Sequence, residues 1–99
     1  MDRTVIDVGS AISRSAQVAQ VESTGGYFLL PLGGDSCEVL ALLGTSAQVW
    51  RATGLPGITV RKVIDAVAHD VGIAPDDIEE DVQNFIAALV ERGLLTVGD

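Results

Sequence analysis

The chain has 99 residues, 47% hydrophobic but only 4% aromatic, which points to one domain whose modest core is filled by small aliphatic side chains. Fourteen acidic residues against six basic ones give a formal charge of -8, which argues against binding that neutralises nucleic-acid phosphates and against an anionic membrane surface. A partner steered by charge is expected to be basic, although acidity also serves simply to keep a small protein in solution. No apolar run approaches the roughly 20 residues of a membrane-spanning helix. The start, Met1-Asp2-Arg3-Thr4, lacks the basic and then apolar stretch of a secretory signal, and the single Cys37 cannot form an internal disulfide. A reducing cytoplasm is therefore the expected location.

Along the chain, residues 1–15 mix isolated apolar side chains (Val5, Ile6, Val8, Ile12) with Gly9, Ser10 and Ser13 in no clean period. They are expected to form a loose segment or an accessory strand, ahead of a domain spanning residues 16–97. Alternation over Ala16 to Glu22 predicts a short, partly exposed strand. Ser23-Thr24-Gly25-Gly26 reads as a turn into the apolar strand Tyr27-Phe28-Leu29-Leu30-Pro31-Leu32, whose proline suits an edge or a strand end. Gly33-Gly34-Asp35-Ser36 then turns the chain into a further strand, Cys37 to Leu42.

Three helices follow. The first is expected from Thr45 or Ser46, either of which can cap it, to about Thr53. Thr59 caps the second, which carries Val60, Val63, Ile64, Val67 and Val71 on one face and ends at Gly72. Pro75 opens the third, with Asp76, Asp77, Glu79 and Glu80 at the positive end of its dipole and an apolar stripe of Ile78, Val82, Phe85, Ile86, Leu89 and Val90. Gly93 closes it. The expected fold is thus α+β and winged helix-turn-helix-like: an N-terminal three-stranded antiparallel sheet followed by three helices.

Catalytic and metal chemistry find little to work with. Cys37 and His69 are each the single residue of their type, whereas a structural zinc site takes about four such ligands. The two could in principle pair as nucleophile and base, but a packing thiol and a solvated imidazole account for them as well. The glycine pairs lack the following lysine of a phosphate loop. Asp35-Ser36-Cys37 lies in a turn rather than opening a helix, which sets aside a carrier-protein role. The carboxylates of the third helix read as a solvated, dipole-matched first turn. No cofactor, no metal and no enzyme activity are expected.

The segment Leu42-Leu43-Gly44-Thr45-Ser46-Ala47-Gln48-Val49-Trp50 resembles the signature of the PqqD-like family, in which a strand ends in Leu-Asn and runs through Thr-Gly-Ala into an aliphatic-Trp pair. Ile58-Thr59-Val60-Arg61-Lys62-Val63-Ile64 is similar to that family's second helix, and Asp81 through Phe85 to Arg92-Gly93-Leu94-Leu95 to its closing helix. Leu43 stands where the family carries asparagine and Ser46 where it carries glycine. The resemblance implies a recognition element for ribosomally made, later modified peptides. It implies that a precursor's leader segment adds as a strand along Cys37, Glu38, Val39, Leu40, Ala41 and Leu42 and lies against the helix carrying Asp81, Val82, Asn84, Phe85, Ala88 and Arg92. The core segment would then pass to a modifying enzyme such as a radical-SAM maturase, a cyclase or a leader protease.

Physical reasoning points the same way. An open strand edge is a template for another strand, with affinity from backbone bonds and specificity from alternating pockets. Alternation sends Cys37, Val39 and Ala41 to one face and Leu40 and Leu42 to the core side. Val82 and Phe85 could floor an apolar pocket flanked by Asp81, Asn84, Ala88 and Arg92, although plain core packing also explains Phe85, Ile86 and Leu89. Two other functions stay open: a non-catalytic subunit that regulates a partner enzyme, and a DNA-binding winged helix, for which Arg61 and Lys62 are the second helix's only basic residues. A homodimer formed by strand exchange at the open edge is a further alternative.

Overall fold

The computed structural model describes residue 6 and residues 8–16, 18–31 and 39–98. In chain order these form β1 (Ala11–Arg14), β2 (Val18–Ser23), β3 (Gly26–Pro31), β4 (Leu40–Leu43), α1 (Thr45–Ala52), β5 (Ile58–Thr59), α2 (Val60–Val71), α3 (Pro75–Glu91) and β6 (Leu95–Gly98).

Alternation and a tight turn build the first sheet, with antiparallel order β2-β3-β4. The β2–β3 turn is Thr24-Gly25, and Gly25 takes φ of 83°, a conformation open to glycine but strained for residues with a Cβ. Register sets Val21 opposite Phe28, Phe28 opposite Ala41, and Tyr27 opposite Leu42. The two-residue period then buries Tyr27, Leu29 and Leu42 and leaves Val21, Phe28, Ala41 and Leu43 exposed on the other face.

The sheet layout differs from the single N-terminal sheet that the sequence suggests. A second antiparallel sheet, ordered β5-β1-β6, gathers strands from near both ends of the chain and from the link between α1 and α2. Its central strand is β1, where Ile12 is fully buried. Backbone bonds continue the pairing beyond the strand: Gly57 N donates to Ile12 O, Val60 N to Ser10 O and Ser15 N to Leu94 O, each at 3.0 Å. The strand expected from Cys37 to Leu42 is Leu40–Leu43 among the described residues; residues 37 and 38 lie outside them.

Arg14 of β1 joins the two sheets to α1. Its guanidinium stacks 4.4 Å from the centre of the Trp50 ring, and donates to Gln20 Oε1 at 3.3 Å, to Thr53 Oγ1 at 3.2 Å and to the Trp50 carbonyl. Trp50 Nε1 donates to the same Gln20 oxygen at 2.8 Å. Burial in this cluster lowers the Arg14 pKa from its ordinary value.

The helices follow their punctuation with one exception. Thr59 caps α2, its hydroxyl accepting from Lys62 N at 3.3 Å, and Gly72 ends it in the left-handed conformation. Pro75 starts α3, where its missing N–H breaks no helical bond. For α1, however, Gly44 is the N-cap and no side chain caps it, so Thr45 and Ser46 lie inside the first turn. The buried faces of the helices meet in one core around Trp50, Ile64, Ile86 and Leu89, and Arg61 binds Glu79 across α2 and α3 at 3.4 Å.

Candidate binding cleft

The order β2-β3-β4 places β4 at an edge, and among the described residues only β3 pairs with it. Through Gly44, β4 runs straight into α1, whose first residue, Thr45, lines an apolar cleft of about 370 Å³. Thr45, Ser46 and Val49 of α1 form one wall, and Val71 and Ile73 close the end at the α2–α3 link. Ile78, Asp81, Val82 and Phe85 of α3 form the other wall. Their spacing explains why one helix serves both core and cleft. Positions 78, 81, 82 and 85 fall on adjoining turns of one face, while Val82, Ile86 and Leu89 turn into the core and Gln83 donates to the Ile6 carbonyl at 3.2 Å.

Of the residues proposed from the sequence, Asp81, Val82 and Phe85 come together in this cleft. Val82 is buried, Phe85 half-buried and Asp81 exposed. Asn84 and Ala88 are exposed further along α3, and Arg92 caps the helix C-terminus, so the stripe of Asp81, Asn84, Ala88 and Arg92 leads away from the cleft. Val39, just before β4, and Ala41 on it are exposed, Leu40 is half-buried against the core and Leu42 is buried. Cys37 and Glu38 lie outside the described residues.

Sequence reasoning missed the α1 wall and Ile73. Thr45 and Ser46 looked like caps, Val71 like part of the second helix's apolar face, and Val49 had no role beyond the signature it belongs to. Ile73 carried a signal that could have found it: a large apolar residue between Gly72 and Pro75, where the linker needs none, and it is 44% exposed.

One polar atom beside this wall is unsatisfied. Gln48 Oε1, adjacent to Val49 on α1, is buried and has no hydrogen-bond partner among the described residues. Leaving a buried acceptor unpaired is costly, so Gln48→Met is expected to raise stability by about 1 kcal/mol. Thermal unfolding reads this as a midpoint increase of roughly 4–8 °C for a domain of this size. A lowered midpoint would mean that the oxygen is satisfied after all. Among the described residues no cluster of three His, Cys, Asp or Glu side chains could hold a metal, and no helix is long and apolar enough to cross a membrane.

The family model described as coenzyme PQQ synthesis protein D (PqqD) matches residues 26–95, from the first residue of β3 to that of β6. The chain belongs to the PqqD family. The match takes in β4, α1 and both helical walls of the cleft. A solved structure, TbiB1 in complex with the TbiA(beta) leader peptide, shares this PqqD-family fold with a TM-score of 0.74. It is 20% identical in sequence, and the likeness covers 85% of this chain and 94% of that one. No curated protein matches the sequence.

Proposed function

We propose that this chain binds the leader segment of a ribosomally made precursor peptide by strand addition to β4, and presents it to a modifying enzyme without catalysing a step itself. The observation that carries the reading is the β4 edge, which among the described residues only β3 pairs with, leading directly into the wall of an apolar cleft. An edge supplies unpaired N–H and C=O groups in register for an extended chain, and a neighbouring apolar pocket supplies selectivity for its side chains. Family membership supports it, and so does the shared fold of TbiB1, a protein solved with a leader peptide bound. The receiving enzyme would be a radical-SAM maturase, a cyclase or a leader protease. A cytoplasmic setting fits the single cysteine.

The test is a titration of the isotope-labelled chain with the leader segment of any short precursor peptide found to be encoded near its gene. Amide shift changes are expected at Leu40–Leu43 and along Asp81–Arg92, with a dissociation constant below about 1 mM, the weak end of the affinity scale. No binding in that range, or changes confined to the β2 edge or to sheet β5-β1-β6, would sink the reading.

One observation favours a second reading, a non-catalytic subunit docked on a folded enzyme. The outer face of sheet β2-β3-β4 exposes Val21, Phe28 and Leu43 at 61%, 43% and 63%. A contiguous apolar face of this kind commonly marks a protein contact. Co-purification with a neighbouring enzyme in the absence of precursor would support it, and strand exchange between copies would instead appear as a dimer that leader peptide dissociates. The DNA-binding reading, which rested on the order of strands and helices alone, gains nothing from the second helix, where Arg61 is engaged by Glu79 at 3.4 Å and Asp65 at 3.9 Å.

A further inference from the structure

We infer that the cleft selects a peptide segment in which a bulky apolar side chain is accompanied by a lysine or arginine, with Asp81 receiving the cation. The inference rests on the strand-addition reading and specifies the chemistry of its ligand.

The cleft's lining is apolar or neutral apart from one charge, the Asp81 carboxylate. This carboxylate sits one helical turn before Phe85 and next to Val82, so a group that reaches it must pass along the apolar wall. Among the described residues Asp81 forms no ion pair, and three of the chain's six basic side chains are engaged elsewhere. Arg61 is paired with Glu79 and Asp65, Arg14 is enclosed by Gln20, Trp50 and Thr53, and Arg51 donates to the Tyr27 hydroxyl at 3.1 Å. None of these three arginines therefore competes for the site. The surroundings reinforce its sign: Asp76, Asp77 and Glu80 lie on the preceding turn of the same helix, and the whole chain carries a charge of -8. An acidic side chain entering the cleft would meet repulsion both on approach and when bound. A basic one gains on both counts, and its aliphatic stem covers the apolar wall. The volume of about 370 Å³ is at the small end for ligand pockets, which suits side chains of an extended peptide better than a large cofactor.

The experiment selects binders from a displayed library of random 12-residue peptides against the full chain and against Asp81→Asn and Asp81→Lys. Asp81 is exposed, so both variants are expected to keep the wild-type thermal midpoint, which checks that the fold is intact. Wild-type binders should carry Lys or Arg at a fixed spacing from a large apolar residue and should weaken in higher salt. Their affinity should fall about three- to ten-fold on Asp81→Asn. Asp81→Lys should instead enrich Asp or Glu at the same spacing. Binders that shift β4 and α3 amides but carry no charge preference, and bind Asp81→Asn equally well, would overturn the inference and leave strand addition standing. Binders that leave those amides unmoved, or no enrichment at all, would overturn both.

Discussion

Trp50→Ala should cost about 3–5 kcal/mol, a large fraction of the roughly 5–15 kcal/mol that holds a typical domain folded. Trp50 is 1% exposed and lies where β2, α1 and β1 converge. Truncation removes three things together. The ring's packing in the core is lost, the Nε1–H no longer reaches Gln20, and the Arg14 guanidinium loses the face it stacks on. Thermal unfolding should show a midpoint lowered by more than about 10 °C. Trp50→Phe separates the contributions, because it keeps an aromatic face while removing the donor, and should cost markedly less. If the two variants were equally destabilised, the hydrogen bond rather than the packing would be the main contribution, against the ordering argued here. A Trp50→Ala chain within about 1 kcal/mol of wild type would contradict the placement of this residue at the centre of the core.

Gly26→Ala should displace β4, the edge proposed to bind peptide, while leaving the helices in place. Gly26 pairs with Leu43 at the end of the β3–β4 ladder, and its φ is not in the left-handed region, so its backbone conformation does not require glycine. Space does. A Cβ at this position would lie inside contact distance of the Leu42 carbonyl oxygen and 2.7 Å from Leu43 Cδ2. The carbonyl is backbone and cannot rotate away, so β4 must shift. Overpacking of this kind typically costs about 1–3 kcal/mol. The more telling result is expected in hydrogen exchange: amides of Leu40–Leu43 should lose protection while those of α2 and α3 keep theirs. Leader affinity should fall by more than the loss of global stability explains, because the strand template itself is displaced. Unchanged protection along β4 would show that the sheet absorbs the methyl group, and full leader affinity despite lost protection would count against strand addition.

Much of the fold and part of the cleft were legible in the chain itself. The three helices were readable because their signals are local. Thr59 and Gly72 punctuate α2, Pro75 opens α3, and apolar residues recur at 3.6-residue spacing between them. The β2–β3 hairpin was equally local: the sequence marks a turn at Ser23-Thr24-Gly25-Gly26, and pairing of Ser23 with Gly26 narrows it to Thr24-Gly25. On the site, Asp81, Val82 and Phe85 were found by helical spacing, since residues one turn apart share a face.

What could not be read from the sequence depends on partners far along the chain. β5 is two residues long and β6 four, and neither has a pattern of its own strong enough to announce a strand. They become strands because β1 lies between them, with Ile12 opposite Ile58 on one side and Val97 on the other. Strand formation reflects packing and pairing more than intrinsic preference, so irregular residues 11–14 are decided by neighbours 46 and 85 positions away. The cleft follows the same logic. Local periodicity in α3 supplies one wall, whereas the opposing wall of Thr45, Ser46 and Val49 and the closing Ile73 exist only once α1 and the α2–α3 link fold against it. By itself the sequence determined the helices and the hairpin, because these depend on residues within a few positions of one another, and its composition fixed the acidic charge. The second sheet and the far side of the cleft were settled by tertiary structure alone, because burial and pairing between distant segments override what each short segment prefers.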